Sequence, residues 1–299
     1  MNTEIESIKT INDTEVKTES PFRQLEGMVS LQPFYADDNA LLFCGASEKV
    51  LPLLPANSVD LTVTSPPYDK LRTYKEFTFD FETIAKELFR VTKDGGVVVW
   101  VVGDSKIDGS ESGTSFTQAL KFMEIGFRLF DTMIYVKDSC PFPQEGQYNQ
   151  IFEYMFVMSK GKPKTFNPIT RQNNWGGLMK PMTHRQADGR LKASVLKYNK
   201  ESNYGNVWLY GTGYAKSSKE KIAFEHPAIY PEQLAKDHIL SWSNKGDTVL
   251  DCFNGSGTTM KAAKLLKRNS IGIEIAKEYC ELTVRRINKP MPLFNGLTS

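Results

Sequence analysis

Cysteine and histidine are scarce: the 299-residue chain has four of the first and three of the second. Cys44, Cys140, Cys252 and Cys280 show no CxxC spacing, and His184, His226 and His238 form no ligand pattern, so no structural metal site is expected. Thiols scattered in this way suit a reducing, cytoplasmic compartment. Long hydrophobic runs are also missing. The strongest, at 97–102, is far too short to span a bilayer. The opening stretch, MNTEIESIKTINDTEVKTES, is polar and slightly acidic, which is the composition of neither a secretion signal nor a transit peptide. There is no GxGxxG loop near the start of the fold and no Walker A lysine, which argues against a nicotinamide-dependent oxidoreductase and a P-loop NTPase.

What is present is an ordinary globular composition, 40% hydrophobic and 24% charged, in a chain long enough for one large domain or two small ones. Apolar, β-branched runs alternate with segments of helical periodicity. Strands are expected at 40–44, 58–64, 97–102, 129–136, 151–158, 248–251 and 270–274, the 151–158 strand antiparallel at an edge. Helices are expected at 47–54, 81–91, 116–125, 231–240 and 257–266. Asp94-Gly95-Gly96 reads as punctuation before the strand at 97–102. This alternation predicts an α/β fold with a doubly wound, mostly parallel sheet of about seven strands.

The net charge of +2 conceals a strong asymmetry. Residues 160–221 hold 13 Lys and Arg against 3 Asp and Glu, while the rest of the chain holds 24 basic and 32 acidic residues. That segment has little periodicity and reads as an inserted, loop-rich subdomain with a polyanion as partner.

Two motifs carry chemistry. Thr64-Ser65-Pro66-Pro67-Tyr68 follows a predicted strand, and its two prolines stop the ladder because neither can donate to it. The stiff turn offers a hydroxyl, exposed carbonyls and a phenol ring to a planar ligand bearing an amino group, such as a nucleobase flipped from its helix. Far downstream, Asp251-Cys252-Phe253-Asn254-Gly255-Ser256-Gly257-Thr258-Thr259 joins a strand to a helix, where open α/β sheets bind ligands. Its glycines permit a tight turn and close approach to a ligand. Glu274, at the next strand end, is placed to accept from both hydroxyls of a ribose.

With Glu153-Tyr154-Met155-Phe156-Val157-Met158-Ser159-Lys160-Gly161 and His226-Pro227-Ala228-Ile229-Tyr230-Pro231 between them, these motifs form an ordered set. That set resembles the β-ordered amino-group DNA methyltransferases, which use S-adenosylmethionine, over roughly residues 40 to 288. The resemblance implies a Rossmann-like methyltransferase fold and a set of roles. Ser65, Pro66, Pro67 and Tyr68 hold the flipped base. Asp251, Phe253, Gly255, Gly257 and Thr258 line the cofactor pocket, with Asp251 near its methionine end. Glu274 holds the ribose, and Pro227 and Tyr230 support the cofactor from before the loop. The basic insert becomes the target-recognition region, with Arg171, Lys180, Arg185, Arg190, Lys192 and Lys197 as DNA contacts. One departure is visible: Gly45-Ala46 stands where members often carry Gly-Asp, and Ser47 is the replacement at hand.

The implied organisation is a flexible leader (1–30), a catalytic half (31–160), a basic target-recognition region (161–221), a cofactor-binding half (222–288) and a tail (289–299). The partner is double-stranded DNA, with a cognate restriction endonuclease and a homodimer left open, and no membrane. Members with Ser at the motif position are most often N4-cytosine enzymes, so cytosine is the favoured base and adenine N6 the alternative. No Pro-Cys motif for C5 attack is present. A DNA-binding protein that has lost catalysis and an RNA or protein methyltransferase are the other classes to weigh. Around the motifs, Trp175 and Trp208 are candidates for base stacking or for anchoring the insert. Arg72, Lys75 and His184 are candidates for phosphate contact, and Asp104 for the pocket or for capping a loop.

Overall fold

The computed structural model describes residues 21–67, 79–139, 146 and 148–289. Tyr68, Arg72, Lys75 and Cys140 lie outside the described residues. The order begins with α1 (Pro21–Met28), β1 (Tyr35–Ala36), β2 (Ala40–Cys44), α2 (Ser47–Val50) and β3 (Val59–Thr64). Then come α3 (Phe81–Val91), β4 (Thr92–Val102), β5 (Lys106–Ile107), β6 (Ser110–Glu111), α4 (Thr114–Ile125), β7 (Arg128–Lys137) and β8 (Phe152–Ser159). The basic segment supplies β9 (Thr170–Gln172), β10 (Met179–Arg185), β11 (Leu191–Lys197), β12 (Glu201–Asn203) and β13 (Val207–Tyr210). The chain closes with α5 (Glu232–Trp242), β14 (Thr248–Asp251), α6 (Thr258–Leu265), β15 (Asn269–Glu274) and α7 (Lys277–Ile287).

Nine strands form one sheet in the order β1-β2-β15-β14-β3-β4-β8-β7-β13. The expected seven are its centre, β2 through β7, and β1 and β13 extend the two edges. The pairings among β2, β15, β14, β3 and β4 are all parallel, as strands joined by helical crossovers require. Such strands are covered on both faces, which explains why β3 and β4 are continuous apolar runs rather than alternating ones. One layer packs around Trp100, whose indole N–H donates to Gln118 Oε1 at 2.8 Å while Phe81, Phe122 and Phe253 meet its ring edge-on. The other packs Leu61, Val63 and Val99 against Leu234, Ile239 and Ala262 from α5 and α6. Helix α3 shows the local logic. Asp80 caps it by accepting from Thr83 N at 3.1 Å, and Ile84, Ala85, Leu88 and Val91 bury one stripe.

Several expectations differ from what is found. Strand β8 is antiparallel but lies inside the sheet, between β4 and β7, because Met155 to Ser159 are buried and need cover on both sides. Asp94-Gly95-Gly96 does not end an element. It bulges within β4, where Thr92 faces Val59 and Val97 faces Leu61. The described part of the leader is helical, and Phe22 and Leu25 of α1 are buried in the core.

The basic insert is strand-built rather than loop-rich. From Thr170 to Asn203 the chain makes one long antiparallel hairpin: β9 pairs β12 at its root and β10 pairs β11 farther out. Irregular links join the two ladders through Asn173 N to Lys200 O (2.8 Å) and Tyr198 N to Leu178 O (2.9 Å). Strand β13 then returns to the main sheet parallel to β7. Its alternation explains the docking: Val207 and Leu209 are exposed, whereas Trp208 and Tyr210 pack inward.

Candidate active site

The carboxyl ends of β3, β14 and β15 lie side by side, so Thr64, Asp251 and Glu274 converge on one rim of the sheet. Between β14 and α6 the chain runs through Phe253 to Gly257. Gly257 has φ +78°, and a Cβ there would approach Thr283 Cγ2 to 2.6 Å, so this position requires glycine. Gly255 has φ +51° and faces the His226 ring, where a Cβ would lie 3.2 Å away.

Asp251 is the knot of the site. Its Oδ1 accepts from the Thr64 hydroxyl at 2.7 Å and from Phe253 N at 3.1 Å, and its Oδ2 accepts from the Tyr230 hydroxyl at 3.3 Å. The Tyr230 hydroxyl also meets Thr259 Oγ1, which donates to Val63 O at 3.2 Å. One carboxylate therefore ties the end of β3, the loop after β14 and the residue before α5 into a single frame. It is wholly buried, which pushes its pKa up, while the hydroxyl and N–H donors pull the other way. Asp251 braces the two motifs from beneath rather than standing open.

Glu274 is held by its own backbone cradle. Gly255 N donates to Oε2 at 2.7 Å and Ala276 N to Oε1 at 2.9 Å. Burial raises this carboxyl too, with the two N–H groups tempering the shift. Ser47 donates to Cys252 O, and Gly45 N donates to Glu274 O at 2.9 Å, so the segment that departs at Gly45-Ala46 still supports the loop through its backbone and Ser47.

Ser65 and Pro66 follow where the β3–β4 ladder stops at Thr64; Pro66 is buried, and Ser65 and Pro67 are half-buried. Phe253 is half-buried, edge-on to Phe79 at 5.1 Å. Thr258 points away from open space, accepting from Arg286 Nη1 at 3.2 Å. Pro227 is exposed beside the imidazole of His226, which packs on Tyr279 at 4.3 Å. The six basic candidates do not gather at this rim: Arg171 is on β9, and Lys180, Arg185, Arg190, Lys192 and Lys197 are on the outer hairpin.

Arg286 was not legible from sequence. Its side chain is fully buried, with Nη1 donating to Ser256 O (2.6 Å) and Ser256 Oγ (2.8 Å), and Nη2 to Glu232 Oε1 (2.7 Å). Glu220 completes the pairing at 3.2 Å, and Lys261 reaches both carboxylates. Nothing in Val284-Arg285-Arg286-Ile287 distinguishes the buried arginine from its exposed neighbour except the apolar residues that flank it at helical spacing.

Other candidates fall into structural roles. Asp104 caps the start of α4, accepting from Ser115 N at 2.9 Å and from the Ser115 hydroxyl. Trp208 anchors the insert, its indole donating to Gly205 O at 2.9 Å and stacking near His238 at 4.9 Å. Trp175 stays half exposed under Lys180, 4.1 Å from its ring. His184 bonds Ser194 at 2.7 Å on the exposed hairpin. Among the described residues no cluster of His, Cys, Asp and Glu could hold a metal, and no helix is long and apolar enough to cross a membrane.

A doubly wound sheet with a glycine turn after one strand, an acidic residue ending the next and a Ser-Pro-Pro turn ending the strand between defines an S-adenosylmethionine-dependent methyltransferase. The chain belongs to the N6/N4 DNA methylase family, whose model, described as DNA methylase, matches residues 59–285. It is 56% identical over 236 residues to the orphan methyltransferase M.BamHII of Bacillus amyloliquefaciens, covering 77% of this chain and 89% of that one. Among solved structures it is similar in fold to the PvuII DNA methyltransferase (cytosine-N4-specific), with TM-score 0.64 and 19% identity over 88% and 92% of the two chains. It is also similar to a DNA modification methylase of Thermus thermophilus, TTHA0409, complexed with S-adenosyl-L-methionine, with TM-score 0.57 and 26% identity over 85% and 95%. The cofactor is S-adenosylmethionine. The residues fit that group: an oriented carboxylate for a diol, a glycine turn for close approach, and an aromatic ring beside it.

Proposed function

We propose that this DNA methyltransferase acts on the exocyclic amino group of a flipped cytosine, at N4. The supporting observation is the Thr64–Asp251 hydrogen bond of 2.7 Å, which fixes the end of β3 against the cofactor loop. S-adenosylmethionine supplies a methyl group on a sulfonium sulfur. The chain's task is to make a poor nucleophile attack it. An exocyclic amine shares its lone pair with the ring. Hydrogen bonds from that amine to the Ser65 hydroxyl and the Pro66 carbonyl draw the nitrogen toward sp3 and localise the pair, while Pro67 stiffens the turn and Tyr68 stacks on the base. Positioning supplies much of the rate. Methyl transfer is direct, and the extra proton leaves to water afterwards.

In this reading Phe253, Gly255 and Gly257 contact the cofactor, Glu274 takes its ribose, and Asp251, Thr258, Pro227 and Tyr230 hold those groups in place. The basic hairpin takes duplex DNA. By extension from the relative named an orphan methyltransferase, the chain works without a dedicated endonuclease. Adenine N6 is the second reading, supported by the breadth of the family. Incubation with labelled S-adenosylmethionine and mixed-sequence duplex DNA, followed by nucleoside mass analysis, tests both. N4-methylcytosine is expected, N6-methyladenine transfers the mechanism to the other base, and no methylated nucleoside contradicts the proposal.

A further inference from the structure

The outer hairpin is built unlike the rest of the molecule. Every residue from 170 to 203 is exposed or half-buried, although β10 and β11 are paired along all seven positions. A two-stranded ribbon in water is marginal by itself, so keeping both faces uncovered suggests a surface completed by a partner. Cross-strand partners share a face. Lys180, His184 and Lys192 lie on one side, and Arg185 and Lys197 on the other. Positive charge therefore flanks the ribbon on both sides, which is unsuited to a flat anionic surface and suited to a cleft with two anionic walls.

The dimensions agree. Seven paired residues extend about 24 Å, and two strands lie about 4.8 Å apart. The major groove of B-form DNA is about 12 Å wide and admits a two-stranded β-ribbon between its phosphate walls. At the tip, residues 186–190 form a turn in which Gln186 N donates to Arg190 O (2.8 Å), Gly189 N to Gln186 O (2.9 Å) and Arg190 N to Asp188 Oδ1 (3.0 Å). Asp188 is thus tied to the turn backbone, while the Arg190 side chain is 86% exposed, with only a 3.9 Å approach to Asp188 Oδ2. Gln186 and Arg190 present an amide and a guanidinium at the leading edge. These are the groups that read adenine and guanine bidentately in the major groove.

We propose that the 179–197 ribbon enters the major groove of duplex DNA, with Gln186 and Arg190 reading base edges and Lys180, Lys192, Arg185 and Lys197 straddling the two phosphate walls. This rests on the DNA-methylating reading above and adds which residues set the target sequence. Tip substitutions change which sites are methylated. Flank substitutions change how strongly any duplex is held.

The test compares wild-type protein with Arg190→Ala, Gln186→Ala, the double variant Lys180→Ala/Lys197→Ala, and Lys245→Ala at the amino end of β14. Each is scored for S-adenosylmethionine binding, for the salt dependence of duplex binding, and for the map of methylated sites on unmodified genomic DNA. Cofactor binding is expected to be unchanged in all, showing that they fold. Arg190→Ala and Gln186→Ala should each become degenerate at one base position, losing about 5- to 150-fold in preference for the original base. The lysine pair should keep the site map and lower the salt slope by about two. Lys245→Ala should change neither. Unaltered maps and slopes in an active enzyme overturn the groove assignment alone. So does competition by duplex RNA as strong as by duplex DNA, because the A-form major groove is too narrow for the ribbon. A wild-type enzyme that methylates no DNA overturns the functional reading and this inference with it.

Discussion

The strand-end site and the basic hairpin solve opposite problems. At the site, Asp251, Arg286 and Glu274 are buried and meet hydrogen-bond partners from the surrounding protein, so one arrangement is fixed before any ligand arrives. On the hairpin, charge is exposed and the backbone ladder alone sets the shape. The comparison teaches that chemistry here depends on satisfied buried polarity, whereas recognition depends on polarity left for a partner to satisfy. Removing a group from the first region should cost stability or rate; removing one from the second should cost neither.

The largest effect belongs to His238, fully buried with its pKa depressed to about 3 by desolvation. The unfolded chain binds a proton at this residue from about pH 6.5 downward while the folded chain does not, so stability falls as pH drops from about 6.5 toward 3. The full loss is on the order of 4–5 kcal/mol, and His238→Phe should flatten that part of a urea-unfolding pH profile. Next, Arg286→Met leaves Glu220 and Glu232 short of a cation. Lys261 remains at 2.8 and 3.1 Å, so the loss should sit near the low end for a broken buried pair, about 3 kcal/mol, read as a shift in denaturant midpoint. Thr64→Val removes the bond to Asp251 and should lower kcat about 100-fold through misplacement of the Ser65-Pro66 turn, while S-adenosylmethionine affinity is retained. Smallest is Val195→Thr on the hairpin, which should move stability by less than about 0.5 kcal/mol in thermal melts. A large loss there would break the contrast.

Much of this division was legible in sequence, for physical reasons that differ by element. Strands β3 and β14 stood out because β-branched runs ended in Pro-Pro and in a glycine turn, both strong local signals. The charge excess of 160–221 was countable. The hairpin inside it was not, because Met179 to Lys197 lacks the alternation that a buried face imposes; neither face is buried. The place of β13 beside β7 was equally hidden, since four residues carry no record of a partner some 70 positions earlier. Strand β8 was placed at an edge because antiparallel direction suggested one, whereas its apolar run demanded neighbours on both sides. Asp251 was expected to line the cofactor pocket, but which of its oxygens Thr64 and Tyr230 occupy is a tertiary fact that spacing cannot encode.

The separation of chemistry from recognition is tested most directly by excising the outer hairpin. Gln172 and Glu201 face each other at the end of the β9–β12 ladder, so residues 173–200 can be replaced by Asn-Gly as a two-residue turn. The shortened enzyme should bind S-adenosylmethionine as the full chain does and lose site-selective methylation of DNA. Methylation of the same sites at the same rate without the hairpin would contradict the account.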